Sequence, residues 1–145
     1  MNETILKFGY PDTLVAEYRH WLVLLRPQQP ALGSLVLAAR GDFTSFSKLP
    51  ADAFVELHRA VADIETALAG AVGYAKINYL MLMMVDPHVH WHVIPRYEGT
   101  REAHGVTLAD KGWPKLPQLG EAYALEPRQI ESLRDWLRLL WPRGR

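Results

Sequence analysis

The order of patterns along this 145-residue chain predicts an α+β fold, with helices lying on one face of an antiparallel sheet. Short β-favouring runs separated by turn residues come first. Two segments then carry apolar residues at helical spacing, and between these two lie apolar runs of strand length.

Thr13 to Tyr18 and Trp21 to Leu25 are short, apolar and β-favouring, and the segment Arg26-Pro-Gln-Gln-Pro-Ala-Leu-Gly33 supplies turn residues before a third run, Ser34 to Ala38. From Pro50 the period changes: Phe54, Leu57, Val61, Ile64 and Leu68 are spaced by three and four and form one stripe of a helix. Pro50 suits its first turn, Asp52 its positive end, and Gly70 or Gly73 its stop. Tyr74 to Val85 is too apolar for an exposed strand and is expected at the centre of the sheet, with its methionines filling the core. Asp86-Pro87 turns the chain into the next strand. Residues 97 to 125 contain Gly99, Gly105, Gly112, Gly120, Pro114 and Pro117 without a sustained period, and are expected to form a long loop that covers a site or links two elements. Pro127 opens a second helix, at about 127–141, whose Ile130, Leu133, Trp136, Leu137, Leu140 and Trp141 form a broad stripe.

The length suits one domain spanning 1–145. Sixteen basic residues balance sixteen acidic ones, so no global field favours a polyanion and a nucleic-acid-wrapping role loses most of its support. Cysteine is absent, which excludes a disulfide scaffold and a thiol nucleophile and fits a reducing compartment. No basic region followed by an apolar run opens the chain, and no run approaches the roughly eighteen apolar residues of a membrane span. The expectation is a cytoplasmic protein with no membrane partner.

The chemistry concentrates in His88-Val-His90-Trp-His92-Val-Ile-Pro-Arg96. In an extended backbone His88, His90 and His92 share one face while Val89, Trp91 and Val93 share the other. Three readings compete for this run. It is an accidental cluster; or two of the histidines join a carboxylate around a metal ion; or neighbouring imidazoles perform nucleophilic catalysis at phosphorus. A single ion held by all three is disfavoured, since His88 and His92 would lie about 13 Å apart along a strand rising about 3.4 Å per residue.

This run, with its three histidines, three intervening apolar residues and the Pro95-Arg96-Tyr97 sequel, resembles the signature of the histidine triad (HIT) superfamily of nucleotide hydrolases and transferases. Its ending is most similar to the dinucleoside polyphosphate hydrolase-like branch. The resemblance extends upstream through Lys76-Ile77-Asn78, the 51–70 helical stretch and Leu35-Val36-Leu37. It implies a sheet of about five strands with two helices, usually doubled across a homodimer. It also implies that His90 is the nucleophile toward the α-phosphorus, that His92 contacts the α-phosphate, and that His88 sits deeper and helps fix the tautomer of its neighbour. Asn78 matches an amide that contacts phosphate or leaving group, and Arg96 is a candidate phosphate contact through its planar fork. An Asn in an apolar strand must in any case find partners for its amide. Arg40 or Asp42 stands where many members have a histidine, and Met83-Met84-Val85-Asp86-Pro87 stands where many carry a Gly-Gln-Ser/Thr segment that hydrogen-bonds phosphate and leaving group. His20, His58 and His104 are read as ordinary structural or surface histidines.

The resulting expectation is a hydrolase or nucleotidyl transferase acting at the α-phosphate of a nucleotide conjugate, with dinucleoside polyphosphates the leading substrate class by resemblance. No protein-held metal or other cofactor is expected, though a divalent cation can accompany a polyphosphate. The alternatives are a nucleotide-binding module without turnover and a two-histidine metal enzyme.

Overall fold

The computed structural model describes residues 1–143; Gly144 and Arg145, the end of the expected domain, lie outside the described residues. Its centre is a five-stranded antiparallel sheet built from β1 (Leu14–Glu17), β2 (Trp21–Leu25), β4 (Leu35–Ala39), β5 (Lys76–Leu80) and β6 (His90–Arg96), in the order β1-β2-β4-β6-β5. A two-residue strand, β3 (Gln28–Gln29), falls in the turn between β2 and β4. Helix α1 (Glu3–Lys7) precedes the sheet, α2 (Ala51–Val72) crosses from β4 to β5, and α3 (Pro127–Leu140) closes the described fold.

The two faces of the sheet bury different clusters. Trp21, Val23, Leu25, Leu35, Leu37 and Val93 point toward α2 and α3, in the main core. Leu22, Leu24, Val36 and Ala38 point the other way, where α1 covers them with Ile5 and Phe8. This alternation is why β2 and β4 are buried at every position, and why their sequences read as continuous apolar runs.

Helix α2 begins directly after Pro50, and Gly73 ends it in the left-handed conformation, φ 54°, returning its N–H to Ala69. The expected stripe is displaced. Phe54 is exposed, and the line that seats the helix is Ala53, Ala60, Ile64, Ala67 and Leu68. Three alanines let the helix lie close to the sheet, near enough for Trp21 Nε1 to donate to the Ala53 carbonyl at 2.8 Å. Helix α3 starts at Pro127, with Gln129 Oε1 accepting from the Glu126 N–H, and Arg138 donates to the Leu14 carbonyl on β1.

Two expectations are corrected. The 74–85 segment is not a central strand: only residues 76–80 are extended, and β5 lies at the edge of the sheet. Its apolar continuation leaves the sheet, with Met84 84% and Val85 83% exposed, so these residues are not core filling. An apolar run marks buried strands and exposed binding surfaces alike, and sequence period cannot separate them. Nor is 97–125 an irregular loop. It contains a hairpin of β7 (Thr100–Ala103) and β8 (Val106–Ala109), and β9 (Tyr123–Ala124) pairs with β3. The hairpin turn is His104-Gly105, both at positive φ, where His replaces the usual Asn or Asp signal.

The close seat of α2 makes a direct prediction. Ala60→Leu should overpack the helix–sheet contact and lower the stability by about 1–3 kcal/mol in urea denaturation, whereas Val55→Leu on the exposed face should leave it within about 0.5 kcal/mol.

Candidate active site

Strand β6 runs between β4 and β5, with Ala38 opposite His90 and Val36 and Leu80 opposite His92. Both histidines therefore project from the α1 face of the sheet. Their ring centroids lie 5.1 Å apart at 82°, and Phe8 packs against both at 5.7 Å. His90 is 1% and His92 7% exposed, yet both line a cavity of about 360 Å³ bounded by Phe8, Arg26 and the 82–86 segment. The larger cavity of about 630 Å³ near Tyr18 and Arg59 contains none of the three histidines.

His88 lies just outside β6. Its ring reaches α1: Nδ1 meets Thr4 Oγ1 at 2.9 Å, and Nε2 lies 3.9 Å from the exposed carboxylate of Asp42. Its backbone carbonyl, however, is 2.6 Å from His90 Nδ1. A carbonyl can only accept, so His90 Nδ1 carries the proton. In the neutral ring the lone pair is then on Nε2, which has no hydrogen-bond partner among the described residues. The residue expected to set its neighbour's tautomer does contact His90, through its backbone oxygen and not its imidazole.

His92 is held in the opposite tautomer. Arg26 Nε donates to His92 Nδ1 at 3.2 Å, so this nitrogen presents its lone pair and the proton resides on Nε2. Burial, the Arg26 guanidinium and neighbouring His90 push the His92 pKa down to about 4. The cavity floor thus combines one imidazole with a free lone pair, one neutral imidazole with an N–H donor, and one cation. Sequence reasoning missed Arg26. It lies in the Pro-rich turn after β2, two residues beyond Leu24 on the same face, but its proximity to β6 depends on the long-range order of the sheet.

Asn78 and Arg96 are brought together, but in an adjoining cleft and not on the imidazole cavity. Arg96 donates from Nε and Nη2 to the two oxygens of Asp110 at 2.7 and 3.1 Å, and from Nη1 to Asn78 Oδ1 at 2.8 Å. The ion pair is almost wholly buried. The fork expected to face phosphate is engaged with a carboxylate that sequence reading did not find, fourteen residues downstream on the far side of the hairpin. Arg40 turns toward Glu17 and the Tyr18 carbonyl, away from the triad. His20 meets Glu56 and Asp52, and His104 packs on Trp136. Among the described residues no three His, Cys, Asp or Glu side chains form a group able to hold a metal ion. No described helix is long and apolar enough to cross a membrane.

The low proton affinity of folded His92 has a pH consequence. An unfolded histidine binds a proton near pH 6.5, whereas this ring does so only near 4, so between these values the unfolded chain holds more protons. The stabilisation from neutral His92 is complete above pH 6.5 and is lost as pH falls toward 4. Between pH 7 and 4.5 the protein should lose about 2 kcal/mol more stability than a folded His92→Asn variant, compared by urea denaturation at each pH.

A family model for the HIT domain matches residues 10–99. No curated protein sequence matches the chain. Among solved structures, a histidine triad protein from Sinorhizobium meliloti is similar at TM-score 0.74 and 20% identity, over 97% of this chain and 95% of that one. One from Bradyrhizobium japonicum is similar at TM-score 0.73 and 17% identity, over 97% and 96%. The diadenosine triphosphate hydrolase of Plasmodium falciparum shares the fold at TM-score 0.63 and 9% identity, over 89% and 76%. With more than half of its residues matched by that family model, and with the alternating histidines on one sheet face, the chain belongs to the HIT domain family.

Proposed function

We propose that this protein is a nucleotide phosphohydrolase or nucleotidyl transferase that cleaves at the α-phosphate of a nucleotide conjugate, with His90 as nucleophile. The observation that carries the reading is the 2.6 Å hydrogen bond from His90 Nδ1 to the His88 carbonyl, because it leaves Nε2 unprotonated beside the cavity. His90 Nε2 forms a bond to phosphorus as the leaving group departs with its electron pair. The resulting nucleotidyl-imidazolium keeps its Nδ1 proton on the carbonyl. Water then attacks phosphorus, and the P–N pair returns to Nε2 as the nucleoside monophosphate leaves. The His92 Nε2–H and the Arg26 charge suit the phosphoryl oxygens, where negative charge accumulates. His88 positions His90 from behind, while Asn78 and Arg96 shape the neighbouring cleft, where a distal part of the substrate can reach them. Dinucleoside polyphosphates are nominated by the resemblance and by the fold shared with a diadenosine triphosphate hydrolase, and a divalent cation would accompany such a substrate. The working environment we infer is the cytoplasm.

A homodimer is part of the same reading. At the β1 edge Arg138 of α3 donates to the Leu14 carbonyl and Arg134 to the Asp12 carbonyl just before the strand, whereas β5 pairs only with β6 among the described residues. Beside that open edge, Leu57, Val61, Tyr79 and Trp91 line an apolar hollow of about 180 Å³. A second copy pairing its own β5 there would continue the sheet and cover the hollow.

Two measurements test these statements. A panel of adenylated and guanylated conjugates labelled at the α-phosphorus should give an acid-labile adduct on His90, and His90→Asn should lose the adduct and at least ~10³-fold in kcat. Undiminished turnover by that folded variant overturns the nucleophile assignment. Light scattering at micromolar concentration should return twice the 16.5 kDa chain mass, and a monomer would refute the dimer.

A further inference from the structure

Across the sheet from the imidazoles, the cavity of about 630 Å³ is bounded by the end of β1, one flank of α2 and the last turn of α3, and it shares no lining residue with the imidazole cavity. Arginine dominates its wall. Arg19, Arg40, Arg59, Arg138 and Arg143 line it, against the carboxylates of Glu17, Glu56 and Asp63. A chain neutral as a whole gathers an excess of cation here.

The carboxylates are already engaged. Glu17 pairs with Arg40 at 3.0 Å, Glu56 accepts from the backbone N–H groups of Arg19 and His20 at 3.2 and 2.6 Å, and Asp63 accepts from the Tyr18 hydroxyl at 2.7 Å. Burial and that last bond raise the Tyr18 pKa, so its hydroxyl adds no charge. Arg138 donates to the Leu14 carbonyl, and Arg19 and Arg138 meet Asp52 and Asp135 in exposed pairs at 3.9 Å. Two cations have no such partner. Arg59 and Arg143 form no hydrogen bond or ion pair among the described residues, and Arg59 Nε is buried. A buried guanidinium N–H calls for an acceptor, and an oxyanion brings both lone pairs and opposite charge.

We propose that this cavity is a second ligand site, one that takes the dianionic phosphate of a small phosphomonoester on the guanidinium forks of Arg59 and Arg143. Two guanidiniums without carboxylate partners match a dianion better than a carboxylate or a phosphodiester, each of which carries one negative charge. The volume is larger than a bare phosphate fills and lies within the roughly 300–1,000 Å³ of small-molecule sites. Val15, Trp141 and Pro142 supply an apolar wall for the organic part. Binding here involves no covalent step and does not depend on His90.

Calorimetry tests the site in an Arg26→Gln background, which removes the cation of the imidazole cavity, with ribose 5-phosphate, inorganic phosphate and cyclic AMP titrated at constant ionic strength. Ribose 5-phosphate should bind with a Kd below about 1 mM and at least ~10-fold more tightly than the other two. Adding Arg59→Gln and Arg143→Gln should weaken it at least ~10-fold, and Arg59→Lys, which keeps the charge without the planar fork, should give an intermediate affinity. Arg143→Gln alone changes only an exposed side chain, so it keeps the fold and should still weaken binding at least ~3-fold. Arg128→Gln, at an exposed position of α3 outside the cavity, should leave the affinity unchanged. A Kd above about 1 mM, equal binding of inorganic phosphate or of cyclic AMP, or an affinity that the Arg143 substitution does not move would overturn the proposal.

Discussion

The site depends on how Val89 is held. Its N–H donates to the Phe43 carbonyl at 2.9 Å, its carbonyl accepts from Ala39 at 3.0 Å, and its side chain is buried. Those two hydrogen bonds fix the peptide between β4 and β6 at the point where the chain enters the strand. The His88 carbonyl is thereby set against His90 Nδ1, and the ring is committed to one tautomer before any ligand arrives. An imidazole oriented by backbone needs no mobile partner to fix its tautomer, which is an economical form of preorganisation.

Two guanidiniums divide the charge on this face. Arg96 is buried against Asp110 and Asn78 and ties the end of β6 to the segment after the hairpin; with both carboxylate oxygens engaged, it acts as a structural tie. Arg26 is only partly buried and leans on an imidazole, a partner that does not neutralise it. The cavity therefore keeps a net cationic floor although the chain as a whole is neutral. Burial, with the same charge, keeps His92 unprotonated, so near neutral pH it presents an N–H donor and not a charged group.

Much of this was legible in the sequence, for local reasons. The period change at Pro50 and the Pro127 start located both long helices, because caps and stripes are encoded within a few residues. The alternation in 88–96 placed His90 and His92 on a common face, because pleating has a fixed period. What could not be read depends on neighbours distant in sequence. Strand β5 is an edge because β6 lies inside it, Asp110 meets Arg96 only after a hairpin folds back, and Arg26 reaches His92 across the sheet. Helix α1 escaped notice because five residues are too few for a period, and Asn2 secures it by capping Ile5 and donating to the Ala39 and Gly41 carbonyls.

Phe8, carried just past the end of that helix, lies over both imidazoles, and Thr4 and Lys7 fasten the same turn to His88 and Asp86. The opening segment thereby serves as a dielectric shutter. Were it to leave the sheet, water would reach the rings and the burial that lowers the proton affinity of His92 would be relieved. The protonation state of an imidazole inside the domain is thus tied to the packing of a short helix laid over it.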